Sequence, residues 1–267
     1  MNSSMIKNRL IRFLSLFLIP FCLIISTYLL APSIIYSAPD ELIVSAAASL
    51  KDSLEEIKPI YLKKQANLNL TYNFGSSGSL QQQIKQGAPV DVFMSAAKKQ
   101  MDALQDKGLL SDGTRKNLLK NQMVLIVPKN NTTIKSFQDL ATDKSKKIAM
   151  GEPQSVPAGQ YAQELLTSLG LLNKVTDKVV YAKDVRQVLS YVATGNVDAG
   201  FVYLTDAKTS NKVKIVATAS PNTHSPIIYL IAVIKDSKNL NEAKNYVEFL
   251  SSERAKTIFK KYGFTPI

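Results

Sequence analysis

Residues 68–87 read LNLTYNFGSSGSLQQQIKQG, and the change of character part-way along decides the fold. Leu68, Leu70, Tyr72 and Phe74 alternate strictly with polar residues, the pattern of a strand that buries one face. Two glycines and three serines follow from Gly75 to Ser79. A short helix is then expected over residues 79–86, ended by Gly87. Strand, small-residue turn and helix in that order are the first half of a βαβ unit. Such a turn exposes backbone N–H groups to an oxyanion. It also lacks the lysine that a nucleotide-binding loop carries.

The same rhythm continues on both sides. Strands are expected over residues 42–46, 90–96, 123–127, 147–150, 179–182, 198–203, 213–219 and 227–234. Helices are expected over residues 49–64, 159–169, 185–194 and, as one long tail, 240–261. The pattern predicts an α/β protein of mainly parallel sheets flanked by helices. The apolar strands at 123–127 and 227–234 bracket a block of about 100 residues, enough for a domain of its own. The expected division is a leader over residues 1–38, a discontinuous domain I of residues 39–121 and 228–267, and a domain II of residues 122–227.

The leader is read from Lys7, Arg9 and Arg12 followed by an uncharged run over residues 13–31, with small and polar residues after it. That is the order of a signal peptide, with retention as a membrane anchor the alternative reading. Cys22 is the one cysteine of the chain, and Leu18-Ile19-Pro20-Phe21 before it lacks the small residues of a lipid-attachment signal. The remainder therefore has no thiol chemistry. His224 is the single histidine and lies in a loop-like Ser220–Pro226 stretch, which removes multi-histidine metal sites and leaves a surface residue rather than a general base. The net charge falls from +12 to +9 without the three basic residues of the leader, and the lysines are scattered rather than gathered into a nucleic-acid-binding stripe.

Three turns place small residues or hydroxyls at a helix start: Ala46–Leu50 with Ser49, Phe74–Leu80 with Ser77 or Ser79, and Ser155–Gln160 with Pro157 at a first helical position. A fourth is Asp184-Val185-Arg186, and Tyr203 closes a strand nearby in the pattern. A helix start binds anions through unpaired N–H groups and its partial positive charge, without any charged side chain. In open α/β sheets such turns collect at the carboxyl ends of the strands. Asp91, Glu152, Asp198 and Asp206 have no histidine partner and are read as helix caps or solvent-facing groups.

Taken together, VSAAASLKDSL (44–54), FGSSGSLQQQIKQGAPVDVFMSA (74–96), GEPQSVPAGQYA (151–162), YAKDVRQVLSYV (181–192), DAGFVYLTDA (198–207) and FKKYGF (259–264) resemble the periplasmic molybdate-binding proteins of ABC-type transporters. The resemblance implies a two-domain, type II periplasmic-binding-protein-like fold with a hinge of two crossing strands. It implies that the chain is not an enzyme and holds molybdate or tungstate as an oxyanion in the interdomain cleft, with no cofactor and no direct metal ligand. The implied contacts are Ser49 and Ser77 from one domain, backbone N–H groups of Ala158 and Val185, and the Tyr203 hydroxyl. The implied partner is a membrane permease, with the protein a periplasmic monomer that binds no nucleic acid. Gly75 and Gly78 stand where the family often has alanine or serine, and Lys183 where it often has an acid.

Donors alone would reject a protonated oxyanion such as phosphate, which needs an acceptor. Sulfate has the charge and shape of molybdate with shorter bonds, so a sulfate or thiosulfate carrier is the alternative. An enzyme acting on a phosphorylated or acylated substrate lacks a base, a metal cluster or an activated nucleophile. A sensory domain of the same fold would need a helix-turn-helix segment ahead of it. A ferric-ion carrier would need tyrosines or acids converging on Tyr203, and the sequence sets no tyrosine beside it.

Overall fold

The computed structural model describes residues 40–63, 65 and 67–267. The leader expected over residues 1–38, with Cys22, lies outside the described residues. Two sheets organise the rest. The first has the order β11-β4-β10-β3-β1-β2, built from β1 (Asp40–Ala47), β2 (Leu68–Gly75), β3 (Val92–Ser95), β4 (Lys116–Lys120), β10 (Ile228–Val233) and β11 (Thr265–Pro266). The second has the order β7-β6-β8-β5-β9, built from β5 (Met123–Pro128), β6 (Ile148–Gly151), β7 (Val179–Ala182), β8 (Ala199–Tyr203) and β9 (Val213–Thr218). We call the parts around them lobe I and lobe II.

Lobe I carries helices α1 (Lys51–Leu62), α2 (Ser77–Lys85) and α3 (Lys98–Gln105). Lobe II carries α4 (Pro157–Ser168), α5 (Leu172–Val175), α6 (Val185–Ala193) and α7 (Leu204–Ala207). Two last helices, α8 (Leu240–Leu250) and α9 (Glu253–Lys261), return to lobe I, where α8 packs on β10 and α9 on α1.

The opening stretch behaves as its alternation predicts. β2 pairs in parallel with β1 over its whole length and turns only one face inward, with Leu70 fully buried between exposed Asn69 and Thr71. Burying one such leucine contributes about 1.5–3 kcal/mol. Central β10, by contrast, is buried from Tyr229 to Val233, as a strand covered on both faces must be. α1 buries Leu54, Ile57 and Tyr61, the stripe that its spacing marks.

Both sheets are mixed, which differs from the mainly parallel order expected. β2, β1 and β3 run parallel, as do β7, β6 and β8. The other pairings are antiparallel. The reversal has a topological cause. β4 leads into β5 and β9 leads into β10, so the strands that flank the two crossings between lobes run against each other in each sheet. The crossings lie side by side, with Asn121 N–H donating to the Ile227 carbonyl at 3.2 Å and Ala219 N–H to the Met123 carbonyl at 2.9 Å.

Among the helix boundaries that differ from expectation, two share a reason, a serine cap. The C-terminal tail breaks after Leu250 because Ser252 caps α9, accepting from Ala255 N–H at 3.4 Å. α2 begins at Ser77 rather than 79 because Ser76 is its cap, accepting from Ser79 N–H at 3.2 Å.

Candidate functional site

The four turns and Tyr203 come from five strand ends. Ser49 sits in a single 3-10 turn directly after β1, and Ser77 is the first residue of α2 after β2. Ala158 is the second residue of α4, Val185 the first of α6, and Tyr203 the last of β8. All five line one cavity between the lobes, among alanine, glycine and proline neighbours. The space between these residues is about 210 Å³, counting the part that is open to solvent. The site is a small one.

Among the described residues no lysine, arginine or histidine lines the cavity, and the single acid there, Asp184, has its carboxylate accepting Gln187 N–H at 2.9 Å as the cap of α6. The polar groups that remain are donors. First-turn N–H groups have no acceptor inside their own helix. Those of Ser77, Ala158 and Val185 have no other backbone partner among the described residues. Pro157 has no N–H, so Ala158 supplies the first free one of α4. That helix start is pressed against the end of β6. A Cβ on Gly159 would lie 1.9 Å from the Gly151 carbonyl oxygen, so only glycine lets the helix come this close.

The hydroxyls are polarised the same way. Ser77 Oγ accepts Ala96 N–H at 2.9 Å, which leaves its own proton to donate elsewhere. Ser49 Oγ lies 2.7 Å from the Tyr229 hydroxyl. Either oxygen can be the donor, and Asn121 favours one direction. Its Oδ1 is committed to Gln122 N–H at 2.8 Å, so its Nδ2 faces Thr205 at 2.9 Å and the Tyr229 oxygen at 3.3 Å. Tyr229 thus accepts from the amide, and Ser49 Oγ is the acceptor beside its own proton, an arrangement that frees the Ser49 proton for the cavity. The Tyr203 hydroxyl is buried with no hydrogen-bond partner among the described residues, and burial, aided by the neighbouring Tyr229, pushes its pKa well above the usual tyrosine value. It stays protonated, a donor without an acceptor. An unpaired buried hydroxyl costs about 1–3 kcal/mol, which a ligand accepting its proton would recover.

Two sets of contacts cross the cleft. Gly78 N–H of α2 donates to the Ser155 carbonyl of lobe II at 2.9 Å. Arg186 of α6 pairs with Asp52 of α1, and its guanidinium also reaches the Ser49 carbonyl at 3.5 Å. On its own lobe, Arg186 Nε lies 2.7 Å from Asp206 Oδ1, yet neither atom makes a directed hydrogen bond. The charge on Asp206 is thus only partly compensated, and burial raises its pKa to about 6 against the pull of Arg186.

Several expectations need correcting here. Asp206 is neither a cap facing solvent nor exposed, and Asp91 is likewise buried, accepting Ile43 N–H at 2.7 Å and the Ser237 hydroxyl at 2.6 Å. Tyr203 does have a tyrosine beside it. The Tyr229 ring lies 5.9 Å away, although its hydroxyl is engaged by Ser49 and Asn121. Among the described residues no cluster of three histidines, cysteines or carboxylates is placed to hold a metal ion.

The match to known families decides the class. Residues 42–265 fit the profile of the bacterial extracellular solute-binding proteins. The chain belongs to that family. It is a family of carriers, not of enzymes. This solute-binding protein is 52% identical over 225 residues to Bacillus subtilis YvgL, provisionally named an ABC transporter substrate-binding lipoprotein, covering 84% of this chain and 86% of that one. It is 37% identical over 247 residues to the molybdate-binding protein ModA of Haemophilus influenzae, covering 90% of this chain and 97% of the relative. Among solved structures, the Azotobacter vinelandii periplasmic molybdate-binding protein superposes with a TM-score of 0.77 at 29% identity, covering 84% and 98% of the two chains. The fold is the two-domain type II α/β arrangement of periplasmic binding proteins.

Proposed function

We propose that this solute-binding protein captures molybdate, and tungstate with it, in the cleft between its lobes and delivers the ion to the permease of an ABC transporter. The observation that carries the reading is a cavity rich in hydrogen-bond donors, above all the Tyr203 hydroxyl, which has no acceptor among the described residues. Ser49 and Ser77 would bind through hydroxyl and backbone donors, Ala158 and Val185 through backbone N–H groups, and Tyr203 through its hydroxyl. Hydrogen bonds to a charged ligand contribute about 1.5–3 kcal/mol each, so five to seven of them outweigh the desolvation of a dianion. The names of the relatives support molybdate over another oxyanion. The lobes would serve as domain I (residues 39–121 and 228–267) and domain II (residues 122–227), closing about the paired crossings. The protein would work as a periplasmic monomer, exported by the leader over residues 1–38.

The test is thermal unfolding with molybdate, tungstate, sulfate or phosphate in turn. Ligand at a thousand times its dissociation constant adds about 4 kcal/mol, or roughly 8–16 °C for a chain of this size. Such a shift with molybdate and tungstate but not with sulfate or phosphate is expected. A larger shift with sulfate would reassign the ligand, and no shift with any of them would refute the oxyanion site.

A further inference from the structure

Arg186 follows Val185 directly, yet its side chain does not line the cavity. It forms ion pairs with the Asp52 and Asp206 carboxylates, and its terminal nitrogens lie 3.5 Å from the Ser49 carbonyl and 3.3 Å from the Thr209 hydroxyl. Two of those partners, Asp206 and Thr209, belong to lobe II with Arg186 itself. The other two, Asp52 and the Ser49 carbonyl, belong to lobe I. Asp206 is fully buried, a costly place for a carboxylate, and Arg186 is the cation within reach of it.

We propose that Arg186 is a positioning residue: anchored on lobe II by Asp206, it grips Asp52 and the Ser49 carbonyl across the cleft and so holds the Ser49 turn against the bound oxyanion. The inference rests on the oxyanion reading of the cavity. The anchor gives the guanidinium one place before and after closure, so little side-chain entropy is lost when Asp52 arrives. A planar guanidinium suits this task because it satisfies several oxygens at fixed angles, which an ammonium does not. Asp52 and Arg186 remain partly solvated, at 39% and 23% side-chain exposure, so the contact can break when the cleft opens.

Asp52→Asn separates this role from plain electrostatics, because the two predict opposite signs. Removing a negative charge beside a dianion site would slow dissociation. Removing the grip on Arg186 speeds it. Molybdate association and dissociation are measured by stopped-flow tyrosine fluorescence, the chain having no tryptophan. We expect dissociation about threefold to tenfold faster, association unchanged, and Asp52→Glu close to wild type. The ligand-free melting temperature of Asp52→Asn stays at the wild-type value. Dissociation that is unchanged or slower overturns the proposal while leaving the molybdate site standing. A wild-type protein that gives no molybdate signal removes the site itself, and the grip falls with it.

Discussion

Gly78 is the position where one methyl group should uncouple stability from binding. Its N–H meets the Ser155 carbonyl at 2.9 Å, and a Cβ there would lie 2.4 Å from that oxygen and 2.7 Å from the Ser155 Cα. These are backbone atoms that cannot swing aside. Restoring ordinary contact requires the lobes to part by about 1 Å at this point, which stretches the N–H to carbonyl distance beyond hydrogen-bonding range. The same movement lengthens bonds from one lobe to the anion. Losing the equivalent of one charge-assisted bond costs about 1.5–3 kcal/mol, or roughly tenfold to a hundredfold in affinity. With the cleft open nothing clashes, and alanine within α2 is better than glycine by about 0.5–1 kcal/mol. Gly78→Ala should therefore melt at the same temperature as wild type or slightly higher without ligand, while calorimetric titration shows weakened molybdate binding. An affinity within twofold of wild type would refute the reasoning. Equal losses with and without ligand would mean that the glycine serves the fold rather than closure.

Further outcomes follow from single groups in the site. Tyr203→Phe removes a hydroxyl that has no partner among the described residues, so ligand-free stability should hold or rise by about 1 kcal/mol while molybdate affinity falls at least about tenfold; a loss of ligand-free stability would show that the hydroxyl has a partner in solution. For Asp206 the folded pKa of about 6 lies above its ordinary value of 3.8. The protonated form is thus favoured by folding, and its contribution is fully present below pH 3.8 and lost as pH rises through about 6. Denaturant unfolding from pH 4 to pH 7 should show wild type losing up to about 3 kcal/mol relative to Asp206→Asn across that window. A difference that grows in favour of wild type with rising pH would mean that Arg186 outweighs burial.

The sequence made the site more legible than the sheets. Alternation in β2 and the helical stripe of α1 are local patterns, and both stand in the structure as read. β4 (KNLLK) and α3 (KKQMDALQ) escaped notice because each has too few apolar residues to show a period, and each is held by neighbours distant in sequence. The mixed sheet order depends on where the chain crosses between lobes, which no window of residues reports. At the site, small residues at helix starts pointed to the turns, and the family resemblance chose Ser77 over Ser79, Val185 over its neighbour Asp184, and Ala158 within them. Tyr229 was invisible for a different reason. It lies in an unbroken apolar run and looks like core, and only topology brings its hydroxyl to Ser49. Arg186 and Asp206 were in view, yet their pairing depends on the turn of α7 after β8.

The line of bonds from Asn121 through Tyr229 to Ser49 bears on portability. Asn121 and Tyr229 belong to the two crossings, not to the pocket wall, yet they favour one direction for the Ser49 hydroxyl proton. The Ala96 amide does the same for Ser77 from β3's far end. Serines grafted at equivalent points of another scaffold would have the right oxygens with no assigned direction, and would offer lone pairs to an anion as readily as protons. What would have to be transplanted is the orientation, and that is stored in the joint between the lobes for Ser49 and at the end of β3 for Ser77.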